Sequence, residues 1–128
     1  MILLLDTHAF LWSINEPNKL STRARQALLD TDNDVMLSVV SIWEMQIKTQ
    51  LGKLHISAPL SEIIKEQVQI NRLFLLPLIP DHVYRLNELP MLHTDPFDRL
   101  LICQSQAIDA AFVTQDGKIS QYIDSVLW

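Results

Sequence analysis

"MILLLDTHAF", residues 1–10, sets an uninterrupted apolar run, Ile2–Leu5, directly against an aspartate, Asp6. An apolar run this short and without alternation reads as a strand buried on both faces, and the "THAFLWSIN" that follows reads as a helix. The same alternation recurs down the chain. "EPNKLS" is a turn and "STRARQALLDT" a helix opened by a Ser or Thr cap. "DNDVMLSVV" runs into a second buried strand, and "SIWEMQIKTQLGK" is a helix that ends near Gly52. "SAPLSEIIKEQVQINR" contains a further helix, "LFLLPLI" a third strand and "PDHVYRLNELP" a short helix. After "HTDP" the reading is helix in "FDRLLICQSQAID", strand in "AAFVTQD" and an edge strand in "SVLW". Strands alternating with helices give an α/β class, with helices on both faces of a mostly parallel sheet. In such sheets ligands sit beyond the carboxyl ends of the strands, where the strand order reverses. Acids that end strands are therefore the residues to follow.

Composition narrows the classes. The chain has 128 residues, the size of one domain, with 48% hydrophobic and 20% charged side chains. No run reaches the ~20 apolar residues needed to span a bilayer, and the N-terminus lacks the basic region of a signal peptide. A single cysteine, Cys103, excludes an internal disulfide and is expected to be a buried thiol. A cytoplasmic location is expected. The net charge of −5, from 15 acids and 10 bases, argues against nucleic-acid binding through global charge. It leaves open a cleft where bound cations offset the acids.

Asp6 follows one strand and Asp116 follows "AAFVT". Each has a structural reading, Asp6 as the cap of the next helix and Asp116 as the turn residue of "QDGK". Together they put two carboxylates on one sheet edge. Glu44 lies on a helix whose apolar stripe is expected to run through Val40, Trp43, Ile47 and Leu51. At ~100° per residue Glu44 falls about 40° from Val40, inside or at the margin of that stripe. Its structural reading is a pair with Lys48; the other is a metal ligand. "HTDPFDR", residues 93–99, supplies two more aspartates. Proline favours the first helical turn, which makes Asp95 the N-cap and Asp98 the third helical residue. Asp98 shares a face with Leu101, Ile102 and Ser105, so Asp95 is assigned to capping and Asp98 to chemistry. Carboxylates from separate elements suit an all-oxygen site for Mg²⁺ or Mn²⁺. Phosphodiester hydrolysis, with water activated by one or two ions, is the chemistry such a cluster serves.

"LLLDTHAFLW", "SVVSIWEMQIK", "HTDPFDRLLICQSQA" and "AFVTQD" together resemble a PIN-domain protein, specifically a VapC-type ribonuclease toxin of a bacterial toxin–antitoxin pair. The resemblance covers essentially the whole chain, residues 1–128, as one PIN domain. It implies a three-layer α/β/α sandwich and an Mg²⁺- or Mn²⁺-dependent endoribonuclease acting on a structured RNA, tRNA or rRNA. It also implies a cognate protein antitoxin and a homodimer. The catalytic, metal-holding quartet carries over to Asp6, Glu44, Asp98 and Asp116. Thr114, Asp95, Arg99 and Thr7 are expected to support the site or touch substrate. For Arg99 a surface or cap-region ion pair is the alternative. The histidines show no ligand spacing, and His8, two residues past Asp6, is the nearest candidate. A haloacid-dehalogenase-like phosphatase would need an aspartate where His8 stands, and a phospho-receiver domain an acid at the end of "VMLSVV". A PIN-like module that binds RNA or protein without catalysis stays open.

Overall fold

The computed structural model describes residues 1–128. Five strands form one wholly parallel sheet: β1 (Ile2–Leu5), β2 (Asp34–Ser38), β3 (Phe74–Leu76), β4 (Ala111–Val113) and β5 (Val126–Leu127). Six α-helices connect them: α1 (Thr7–Asn15), α2 (Thr22–Leu29), α3 (Val39–Gln50), α4 (Leu60–Ile70), α5 (Pro80–Tyr84) and α6 (Pro96–Ala107). No helix is long and apolar enough to cross a membrane. The strand order is β3-β2-β1-β4-β5. The chain thus winds outward from β1 in one direction, then returns to its other side with β4. The crevice of a parallel sheet opens where the winding reverses, at the carboxyl ends of β1 and β4.

Side chains alternate across each strand and sort the core into two layers. Leu3 and Leu5 of β1, Leu37 of β2 and Val113 of β4 pack with Ala9 and Phe10 of α1, Ala24 of α2 and Leu60 and Ile64 of α4. Leu4 of β1 and Phe112 of β4 point to the opposite face. There Phe112 packs with Leu101, Ile102 and Cys103 of α6, and Leu4 with Leu76 and Ala110. Helices on both faces give the expected three-layer α/β/α sandwich. A buried polar chain keys α6 to the far side of the sheet: Ser38 Oγ donates to Gln104 Oε1 (2.5 Å), and Gln104 Nε2 reaches Pro77 O (3.3 Å) and His82 Nδ1 (3.2 Å). Burial depresses the His82 pKa, consistent with a neutral ring accepting at Nδ1.

Two expectations about the middle of the chain are corrected. Val39 and Val40 do not extend β2; Ser38 ends the strand and caps α3, its Oγ accepting from Val40 N at 3.0 Å. An N-capping hydroxyl thereby overrides the β-propensity of two valines. The buried face of α3 is also rotated from the expected stripe. It consists of Val40, Ser41, Glu44 and Met45, whereas Trp43 is 54% and Leu51 62% exposed. Glu44 therefore lies within the buried face and not at its margin. The helix stops where expected, with Gly52 at φ +71°, a left-handed conformation that glycine adopts without strain.

The fully buried Phe112 ring joins β4 to α6. Phe112→Ala should lower the unfolding free energy by about 3–5 kcal/mol in urea titrations followed by circular dichroism. A loss below about 1 kcal/mol would mean that this face of the sheet is not packed as described.

Candidate acidic active site

Asp6 directly follows β1, and its backbone N–H continues the ladder by donating to Val113 O of β4 at 3.0 Å. Its side chain serves two purposes. Oδ1 accepts from Ala9 N (2.8 Å) and caps α1, while Oδ2 accepts from Thr114 Oγ1 (2.5 Å). Thr114, just past β4 and 1% exposed, also accepts from Asp116 N at 3.1 Å. One buried hydroxyl therefore ties together the two strand-ending acids. Asp116 is a turn residue as well, with Oδ1 accepting from Lys118 N at 2.9 Å.

Asp95 caps α6 through Oδ1, which accepts from Phe97 N (2.9 Å) and Asp98 N (3.1 Å). Asp98 makes no reciprocal capping bond. Its Oδ2 lies 2.9 Å from Nε2 of His93, and the same nitrogen is 3.5 Å from Oδ2 of Asp116. The donor atoms of His93, Asp98 and Asp116 all fall within 4.8 Å of one another. Glu44, 3% exposed, holds itself differently. Oε1 accepts from Thr7 Oγ1 (2.7 Å) and Oε2 meets Lys48 Nζ (2.5 Å). Thr7 has one hydroxyl proton, and the carboxylate takes it. The 3.0 Å contact between Thr7 and Ser41 is then a bond donated by Ser41. Glu44 thus forms the pair with Lys48 and is buried while doing so.

Burial raises the carboxyl of Asp98 to a pKa of about 6, reinforced by the negative charges of Asp95, Glu44 and Asp6 and opposed by His93. Asp6 is also raised, again by burial first, against the bonds from Thr114 and Ala9. The structure thus brings Asp98 and Asp116 together, links Asp6 to the backbone of Asp116 through Thr114, and sets Glu44 and Asp6 near enough to Asp98 for their charges to act on it. The tightest grouping is Asp98 and Asp116 with His93, and Glu44 is turned toward Thr7 and Lys48.

Arg99 is 8% exposed, and backbone carbonyls take up its guanidinium in place of a surface ion pair. Nη1 donates to Pro90 O (2.8 Å) and His93 O (3.4 Å), and Nη2 to Leu89 O (3.2 Å). The segment Leu89–His93 folds over the face that helical geometry alone assigns to solvent. His93 was the histidine that sequence reasoning passed over, because spacing rules look for ligands on one helix. The available signal was its position two residues before the Asp95 cap. His8, the nearer candidate by sequence, is exposed and tilts against Trp12 with ring centroids 5.9 Å apart.

The raised carboxyl of Asp98 links stability to pH. The folded protein holds this proton to about pH 6, whereas the unfolded chain releases it near 3.8. The charging penalty is absent below about pH 4, grows as pH rises and is complete above about 6. The protein in EDTA should therefore lose on the order of 1–3 kcal/mol between pH 4 and pH 7, and Asp98→Asn should remove most of that slope. Thermal melts across this range test it; parallel pH profiles for the two proteins would overturn it.

A family model for the PIN domain matches residues 3–124. No curated protein matches by sequence. Among solved structures, VapBC2 from Rickettsia felis, bound to a DNA fragment from its promoter, superposes with a TM-score of 0.72 at 19% identity, covering 98% of this chain and 96% of that one. VapBC-1 from nontypeable Haemophilus influenzae gives 0.68 at 19% identity, over 100% and 96% of the two chains. FitAcB from Neisseria gonorrhoeae gives 0.65 at 17% identity, over 97% and 94%. At these identities the likeness establishes a shared fold, and the family model covers nearly the whole chain: the protein belongs to the PIN domain family.

Proposed function

We propose that this protein is a divalent-metal-dependent endoribonuclease, a VapC-type toxin that cuts a structured RNA and is neutralised by a cognate antitoxin. The observation that carries the reading is the convergence of Asp6, Glu44, Asp98 and Asp116 at the switch point of the sheet, with Asp98 held near a pKa of 6. PIN domains are generally nucleases, and the two VapBC structures named above are toxin–antitoxin complexes. Location in the cytoplasm, a homodimer and an RNA target of tRNA or rRNA type belong to the same reading.

The donor set fits a hard cation. Carboxylates crowded into a partly buried edge raise one another's pKa unless a positive charge offsets them, and Asp98 displays that excess. Each carboxylate oxygen that accepts one hydrogen bond keeps a further lone pair for a metal. Asp6, Asp98, Asp116 and Glu44 would hold Mg²⁺ or Mn²⁺, which would polarise water for attack on phosphorus and offset charge on the phosphate and leaving oxygen.

The remaining parts are positional. Asp95 fixes the first turn of α6 and so the direction in which Asp98 points. Thr114 aligns Asp6 with the backbone of Asp116, and Thr7 orients Glu44. A cleft of about 510 Å³ borders Thr7 and is lined by Lys48 and Lys53, with Glu16 also on its wall; the two ammonium groups are the positive charge it offers the RNA backbone. Arg99 acts through the loop it holds.

Purified, antitoxin-free protein, incubated with total RNA and a tRNA pool, should release discrete fragments with Mg²⁺ or Mn²⁺ and none in EDTA. Asp98→Asn should reduce cleavage by at least about 100-fold. Asp95→Asn should keep cleavage within about 10-fold of wild type, because asparagine caps a helix as well as aspartate does. Equal inactivity of a folded Asp95→Asn protein would give Asp95 a direct role. Absence of metal-dependent cleavage of any RNA would favour a PIN module that only binds.

A further inference from the structure

We propose that His93 is a nitrogen ligand of the divalent cation, so that the site is a mixed imidazole–carboxylate centre that favours Mn²⁺ over Mg²⁺. The inference deepens the function proposed above, since it rests on the acidic edge being a cation site. Three features carry it. First, Nε2 of His93 faces both Asp98 Oδ2 at 2.9 Å and Asp116 Oδ2 at 3.5 Å, with the ring only 13% exposed. Ligand atoms bound at about 2.1 Å lie at most about 4.2 Å apart, so a group already within 4.8 Å closes on an ion by small side-chain movements.

Second, the loop bearing the ring is fixed at some cost. The buried guanidinium of Arg99 has no carboxylate partner and spends its donors on the carbonyls of Leu89, Pro90 and His93. Burying a cation against carbonyls alone is expensive. Here it ties the loop that leads to His93, most closely at Pro90 O (2.8 Å), to α6, the helix that carries Asp98. Third, the other ring nitrogen is lightly held. Nδ1 accepts only a 3.5 Å contact from Asp95 N, at the outer limit of a hydrogen bond. On ligation the neutral ring changes tautomer: the proton that Nε2 now shares with Asp98 passes to solvent, Nδ1 takes one up, and the Nε2 lone pair turns to the ion. Imidazole suits transition-metal ions, whereas Mg²⁺ prefers oxygen ligands. The alternative is an imidazole that serves only as a hydrogen-bond partner of Asp98.

Pulsed EPR of the Mn²⁺-loaded full chain separates these. Wild-type protein should show ¹⁴N coupling to Mn²⁺ that changes to ¹⁵N coupling when histidine is ¹⁵N-labelled. The coupling should vanish in His93→Gln and persist in His55→Gln, which alters an exposed loop residue. By calorimetry, His93→Gln should weaken Mn²⁺ binding by about 10-fold or more and Mg²⁺ binding by less than about 3-fold. Mn²⁺ bound without histidine coupling in the wild-type protein would overturn the role of His93 and leave the metal reading intact. That measurement needs no variant to fold. Absence of any Mn²⁺ binding would sink both.

Discussion

Carboxylates gathered at one edge of a parallel sheet repel one another, and burial strengthens the repulsion by removing the water that would screen it. The elements around the edge are arranged against that repulsion. α1 and α6 begin at the site, so the partial positive charge of two helix N-termini faces Asp6 and Asp98. Thr7 and Thr114 each give their one hydroxyl proton to an acid. Lys48 sets an ammonium against Glu44, and His93 sets a ring nitrogen between Asp98 and Asp116. Even so, burial keeps the carboxyls of Asp6 and Asp98 raised, and for Asp98 the charges of Asp95, Glu44 and Asp6 add to it.

Because Asp6, Asp116 and Asp95 also have structural duties, much of the site cannot be altered without touching the fold. Asp6 caps α1, Asp116 closes the turn after β4, and Asp95 sets the register from which Asp98 projects. This sharing explains why structural and chemical readings of the same residue do not compete here. A carboxylate offers several lone-pair directions, so a cap uses one and leaves the others free.

The periodic features were legible from residues alone. The apolar runs located the strands, and Pro96 after Asp95 set the capping register of α6 to the residue, which in turn put Asp98 on the inner face. What was not legible depended on contacts between segments distant along the fold. The face of α3 was misjudged because Trp43 and Leu51 are apolar yet exposed, while Ser41 and Glu44 are buried by Thr7, a residue from another element. The carbonyl partners of Arg99 are not legible either, because helical geometry cannot show that Leu89–His93 folds over it. His93 was missed for the same reason, since its approach to Asp98 and Asp116 runs through a loop and not a helix face.

An acidic chain is an unexpected candidate for work on a polyanion, yet the geometry removes the difficulty. Nonspecific binding of nucleic acid scales with the phosphates neutralised, which is a property of the local surface and not of the net charge. Along the cleft beside Glu44 the local charges are Lys48 and Lys53 with Glu16, and on the proposed reading a divalent ion would offset much of the negative charge of the neighbouring carboxylates. The protein then attracts a phosphate only where it can act on it. A uniformly basic surface would bind RNA everywhere and compete with that one productive position. On the proposed reading the negative remainder of the surface confines the encounter to the site.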